Sequence, residues 1–103
     1  MSVSDSDIAF VHELFEGLGG ITHRKMMGGL SIYRDGQIFA ILSSSGQLYL
    51  KASGAFAEAL VAEGSVRFEM EDGRGMNYWT LPEAALDDAA LACDWAERAL
   101  AAL

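Results

Sequence analysis

Apolar residues recur at Ile8, Val11, Phe15 and Leu18, a three- and four-residue spacing that marks one face of a helix. Ser4-Asp5-Ser6-Asp7 precedes them, offering N-caps and first-turn carboxylates where the helix dipole favours negative charge. Gly17-Leu18-Gly19-Gly20 ends the helix. Further along, the period changes to two. Asp35-Gly36 is a two-residue type I′ hairpin signal, because both turn positions need positive φ. With Arg34 facing Gln37, Ile32 is expected opposite Phe39 and Leu30 opposite Ile41. A second tight turn near Ser45-Gly46 then sets Ser43 opposite Leu48 and Ile41 opposite Leu50. The predicted core face of the sheet is Leu30, Ile32, Phe39, Ile41, Leu48 and Leu50, together with Phe68, Trp79 and Trp95.

Ser53 is expected to cap a short helix carrying Phe56 and Leu60, closed by Gly64. Val66, Phe68 and Met70 alternate with Arg67 and Glu69 as a half-buried strand. Asp72-Gly73-Arg74-Gly75 reads as an exposed turn into a strand around Tyr78-Trp79-Thr80, which Pro82 stops. Parity with Leu81 puts Trp79 inside and Tyr78 outside. Asp87 or Asp88 caps a last helix with Leu91, Trp95 and Ala99 on its face and Leu100 and Leu103 alongside. The expected order is α-β-β-β-α-β-β-α, with room for an additional short strand at Ile21 to Met26. This is an α+β, two-layer domain: an antiparallel sheet of about five strands backed by helices.

The same register gives the sheet a second apolar face, made of Tyr33, Ile38, Ala40, Leu42 and Tyr49. Three helices cannot coat both sides of such a sheet, and an uncovered patch of this kind marks an interaction surface. Tyr78 is expected to join it. Self-association as a two-fold dimer through this face is the natural expectation.

Composition narrows the function classes. A chain of 103 residues with 51% hydrophobic residues is read as one domain spanning 1–103, with a real core. Seven Lys+Arg against fifteen Asp+Glu give a formal charge of −8, which repels nucleic acid and anionic membrane unless a local patch inverts the field. The single Cys93 forms no intramolecular disulfide, the Ser/Asp-rich start does not resemble a secretory signal, and the longest apolar run is too short to span a bilayer. A cytoplasmic protein is expected.

Candidate chemistry is sparse. His23, Arg24 and Lys25 form the basic cluster, with Lys51 able to join from a neighbouring strand; these four are the candidate site for an anion or an acidic partner. Gly28-Gly29 lacks the strand–turn–helix context of a phosphate loop and reads instead as a bulge or a close backbone approach. His12 and Glu16 stand at i, i+4, but two ligands do not make a zinc site. Cys93 reads as a small helix residue packed near Trp95. No metal, no cofactor and no catalytic residue is expected.

Arg24-Lys25-Met26-Met27-Gly28-Gly29, Tyr33-Arg34-Asp35-Gly36, Phe39-Ala40 and Leu48-Tyr49-Leu50-Lys51 follow one another at fixed distances, with Tyr78-Trp79, Pro82 and Trp95 downstream. In this arrangement the chain resembles the N-terminal domain of the TfoX/Sxy competence-regulator family, over roughly Phe10 to Ala99. Met27 stands where the family more commonly has Phe. The resemblance implies a sheet of five strands backed by helices. It also implies a non-enzymatic regulatory module that acts in bacterial competence and transcription by protein–protein interaction, beside an activator. Full-length members carry a second, C-terminal domain with no counterpart here, so a stand-alone module with an unknown partner is expected. Two other readings stay open: a small-ligand or enzymatic domain using a pocket between the last helix and the sheet, and direct nucleic-acid binding through Arg24-Lys25.

Overall fold

The computed structural model describes residues 3–26, 28–69 and 75–103. The Met27 position, the Met70 end of its strand and most of the Asp72-Gly73-Arg74-Gly75 turn lie outside the described residues. The domain is α+β: one antiparallel sheet with helices packed on it. Helix α1 (Asp5–Leu14) starts at Ser4, whose hydroxyl accepts from the Asp7 N–H while the Asp7 carboxylate accepts from the Ser4 N–H. This reciprocal capping box satisfies two otherwise free donors. Strands β1 (Ile21–Met26), β2 (Gly29–Arg34), β3 (Gln37–Leu42) and β4 (Leu48–Lys51) follow. Then come α2 (Gly54–Ala62), β5 (Arg67–Glu69), β6 (Gly75–Thr80) and α3 (Ala89–Ala101), the last capped by Asp88, whose carboxylate accepts from the Leu91 N–H.

The sheet has six strands, in the order β1-β2-β3-β4-β6-β5. The expected five are joined by the segment Ile21–Met26, which pairs along its whole length with β2. Asp35 (φ 49°) and Gly36 (φ 84°) make the left-handed turn between β2 and β3. Gly29 is fixed by proximity: a Cβ there would sit 2.5 Å from the Leu42 carbonyl oxygen, so β2 and β3 approach as no larger residue permits. The close-approach reading of Gly28-Gly29 holds.

The register of the central strands differs from expectation. Tyr33 pairs with Ile38, but Ile32 then pairs with Ala40 and Leu30 with Leu42. Phe39 is an extra residue in β3, a bulge that turns both it and Ala40 toward the helices. Past the bulge the parity of β3 is reversed. Leu42 therefore belongs to the core, 3% exposed, and not to the second face, while Ile41 moves the other way. The β3–β4 loop is also one residue longer than expected. Ser43 donates its N–H to the Gln47 carbonyl, leaving Ser44–Gly46 as a three-residue loop with Gly46 at φ 89°. Leu42 accordingly pairs with Leu48 and Ala40 with Leu50. The two one-residue changes compensate, so Leu48 and Leu50 face the core as expected.

The core joins these residues to Val11, Leu14, Phe15 and Leu18 from the first helical segment, Phe56, Ala57 and Leu60 from α2, and Ala92, Trp95, Ala96 and Ala99 from α3. Three alanines on α3 let that helix lie close to its neighbours; Leu91 is half-buried and Leu103 is exposed. Phe15 and Phe39 meet edge to face at 5.3 Å, and Arg98 lies 4.4 Å over the Trp95 ring. All three helices contribute to this one cluster on one side of the sheet.

Candidate functional site

The opposite side of the sheet carries all three tyrosines of the chain. Tyr33 and Ile38 pair across β2 and β3, Ile41 pairs with Tyr49 across β3 and β4, and Tyr49 pairs with Thr80 across β4 and β6. Lys51 pairs with Tyr78 two residues further on. Phe68 reaches the same face from β5, its ring 4.9 Å from that of Tyr49 in an edge-to-face contact. Phe68 was expected in the core; Trp79 holds that side alone, packed against the core with Arg67 over its ring at 5.9 Å. Tyr33, Ile38, Tyr49 and Phe68 are half-buried, and Tyr78 is at the edge of burial, 9% exposed. The rings shield one another, and no helix of the described residues covers them.

This environment shows in the phenols. Burial pushes the Tyr49 hydroxyl above the ordinary tyrosine value. Burial does the same to Tyr78, reinforced by the nearby charge Tyr33 would carry when ionised.

The basic cluster is dispersed. His23 pairs with Ile32 and Lys25 with Leu30, both core-facing partners, whereas Arg24 pairs with Ser31 on the tyrosine side. Lys51 shares that side with Arg24, but β2 and β3 lie between them, roughly 14 Å at about 4.8 Å per strand. His23 turns instead to α1, where its Nδ1 lies 2.7 Å from Nε2 of His12. One ring donates and the other accepts. The contact joins two residues on different elements, and no local spacing announces it. Among the described residues no group of three or more His, Cys, Asp or Glu side chains is placed to hold a metal ion.

Charge is segregated between the layers. Arg24, Lys25, Arg34, Lys51 and Arg67 lie in strands, five of the seven Lys and Arg, while Glu69 is the one carboxylate of the fifteen in a described strand residue. The helical layer and loops hold most of the acid. On the tyrosine face the strands contribute Arg24 and Lys51 and no described carboxylate.

The family model of the TfoX N-terminal domain matches residues 13–103. The chain belongs to this family. It is a non-enzymatic regulatory and interaction domain of the TfoX N-terminal type. No curated protein matches the chain. The clefts are modest in this TfoX-type domain. One of about 470 Å³ is lined by His12, Glu13, Glu16, Gly19, Gly20 and Ile21, and another of about 390 Å³ lies between α2 and Trp79. Neither lies between α3 and the sheet. Cys93 donates its thiol to the Leu14 carbonyl at 3.6 Å, and burial pushes that thiol up, away from the thiolate a nucleophile needs. Among the described residues, no helix is long and apolar enough to cross a membrane.

The open face differs from its sequence-based outline by four residues, since Ala40 also leaves it for the core. Tyr33, Ile38, Tyr49 and Tyr78 lie where expected, Leu42 leaves, and Ile41 and Phe68 arrive. The Phe39 bulge accounts for the exchange of Ala40 and Leu42 for Ile41, and the longer Ser44–Gly46 loop keeps Tyr49 where expected.

Proposed function

We propose that this domain works by protein–protein contact through the open tyrosine face of its sheet, and that the occupant of the face is a second copy of the chain. The observation carrying the reading is the convergence of half-buried Tyr33, Ile38, Tyr49 and Phe68, around the more deeply buried Ile41 and Tyr78, on the side of the sheet that no described helix covers. Tyrosine suits such a surface, since it offers large apolar area with a polar tip and little side-chain entropy to lose. Six strands at about 4.8 Å spacing give a face roughly 29 Å across, the scale that a standard interface of about 800 Å² per partner needs.

Electrostatics supports the face-to-face arrangement. Two chains of charge −8 repel, and the least repulsive approach turns the acid-poor sheets together and the acidic helical layers apart. Apolar burial contributes about 25 cal/mol per Å², against a sizeable entropic cost of association. Pairing would give a regulatory module two copies of every remaining surface, and its setting is the cytoplasm, where a lone unpaired cysteine is at home.

Tyr49→Glu tests the reading by placing a charge at the centre of the patch. The variant should keep its circular dichroism and lose association by about tenfold or more, as expected for an unpaired charge in an interface. Ile38→Glu, at a different point of the face, should do the same. Undiminished association in both folded variants would refute the proposal.

A further inference from the structure

The two edges of the sheet are unlike. The described part of β5 is three residues long, its pairing with β6 shifts register between Arg67 and Glu69, and the Arg67 Nε donates to the Met76 carbonyl at 3.0 Å. Short, irregular edges of this kind resist further pairing. β1 at the other edge is six residues long, contains no proline, and pairs with β2 in unbroken register. The Gly20 carbonyl accepts from the Asp35 N–H at 3.0 Å, which fixes the phase of the ladder. Thr22 and Arg24 therefore bond inward to β2, and the N–H and C=O groups of Ile21, His23 and Lys25 point outward. Among the described residues no other strand pairs with β1, and no backbone bond outside the strands engages those three residues.

We propose that the free edge of β1 is a strand-addition site, which takes an extended acidic segment of a partner protein as a further strand of the sheet. The backbone row supplies the hydrogen bonds, and the flanking side chains choose the partner. Thr22, His23, Arg24, Lys25 and Met26 are all exposed. Arg24 stands on the tyrosine side and Lys25 on the helix side, so an added strand meets a cation on either face. β1 itself contains no carboxylate; Glu13, Glu16 and Asp35 lie at its Ile21 end, so Arg24 and Lys25 set the charge of its other half.

A second copy fits this edge poorly. Antiparallel pairing of two β1 strands about His23 would oppose that imidazole to its own copy and set the two Arg24 side chains diagonally across one ladder, about 7–8 Å apart, and pairing about Arg24 would set them directly opposite, where like charges destabilise. The charges that guard the edge against self-pairing thus select a carboxylate-bearing strand. Stacking two sheets face to face leaves the edge free, so this site stands independently of the open-face reading.

The test uses the full chain and a labelled synthetic peptide of alternating valine and glutamate, with a valine–lysine peptide as counterpart. The glutamate peptide should bind, and bind more weakly as salt rises. In amide exchange, His23 and Lys25 should gain protection on binding while Thr22 and Arg24, already bonded inward, change little. Lys25→Pro removes one outward N–H and sets a ring in the path of the incoming strand, at an edge position that tolerates proline. It should weaken binding by about tenfold or more and leave self-association unchanged. Lys25→Glu keeps the backbone and should weaken the glutamate peptide while improving the lysine one. The proposal is overturned if the glutamate peptide does not bind, if the two peptides bind equally, or if Lys25→Glu leaves the preference as it was. Failure of the open-face reading shows separately, in the oligomeric state.

Discussion

Phe39→Ala probes the core against which the bulged residue of β3 packs. The ring is fully buried, meets Phe15 edge to face at 5.3 Å, and is the extra residue that returns Ala40 and Leu42 to the core. Removing it forfeits the transfer energy of the ring and leaves a cavity between β3 and the first helical segment, about 3–5 kcal/mol together. A domain of this size has about 5–15 kcal/mol in all, so the loss is a large share. In urea, at about 1–3 kcal/mol per molar, the unfolding midpoint should fall by roughly 2 M with an unchanged slope. A double-mutant cycle with Phe15→Ala should return a coupling of about 0.5–1.5 kcal/mol from the aromatic pair. A loss below about 1 kcal/mol would mean that Phe39 points to solvent, and its place in the core would be refuted.

Leu42 and Ile38 separate the two faces. Leu42→Glu buries an unpaired charge among Leu30, Leu48 and the helices and should prevent folding at ordinary temperature, whereas Ile38→Glu should stay folded by circular dichroism; two folded variants would return β3 to the simple hairpin register, in which both residues share the open face. Stability should also depend on alkaline pH. Folding holds Tyr49 and Tyr78 protonated beyond their ordinary value of 10.0, so their contribution is complete below pH 10 and is lost as pH rises through the higher folded-state values. Denaturant midpoints should therefore fall above about pH 10, with phenolate absorbance of these residues appearing late; midpoints that rise over that range would contradict the burial.

Much of this architecture can be read from local chemistry. The Ser4–Asp7 capping box, the Asp35–Gly36 turn and the Asp88 cap each follow from residues a few positions apart. The facing of β3 does not. A bulge changes parity without changing composition, and Ile38 to Leu42 is apolar at every position, so alternation leaves no mark to show where it occurs. Likewise a Ser-rich loop accommodates two or three residues, and only tertiary pairing chooses. The dispersal of the basic cluster follows from strand alternation alone, since neighbours at 23, 24 and 25 must point to opposite faces. The His12–His23 contact depends on how α1 docks beside β1, which no pattern within either segment encodes.

The reading of the tyrosine face as a self-interaction surface is tested most directly by sedimentation equilibrium of the unmodified chain, from low to high micromolar concentration at physiological salt. A reversible shift toward about 22 kDa, twice the 11.1 kDa chain, is the predicted result. A mass that stays at one chain throughout the range would contradict it.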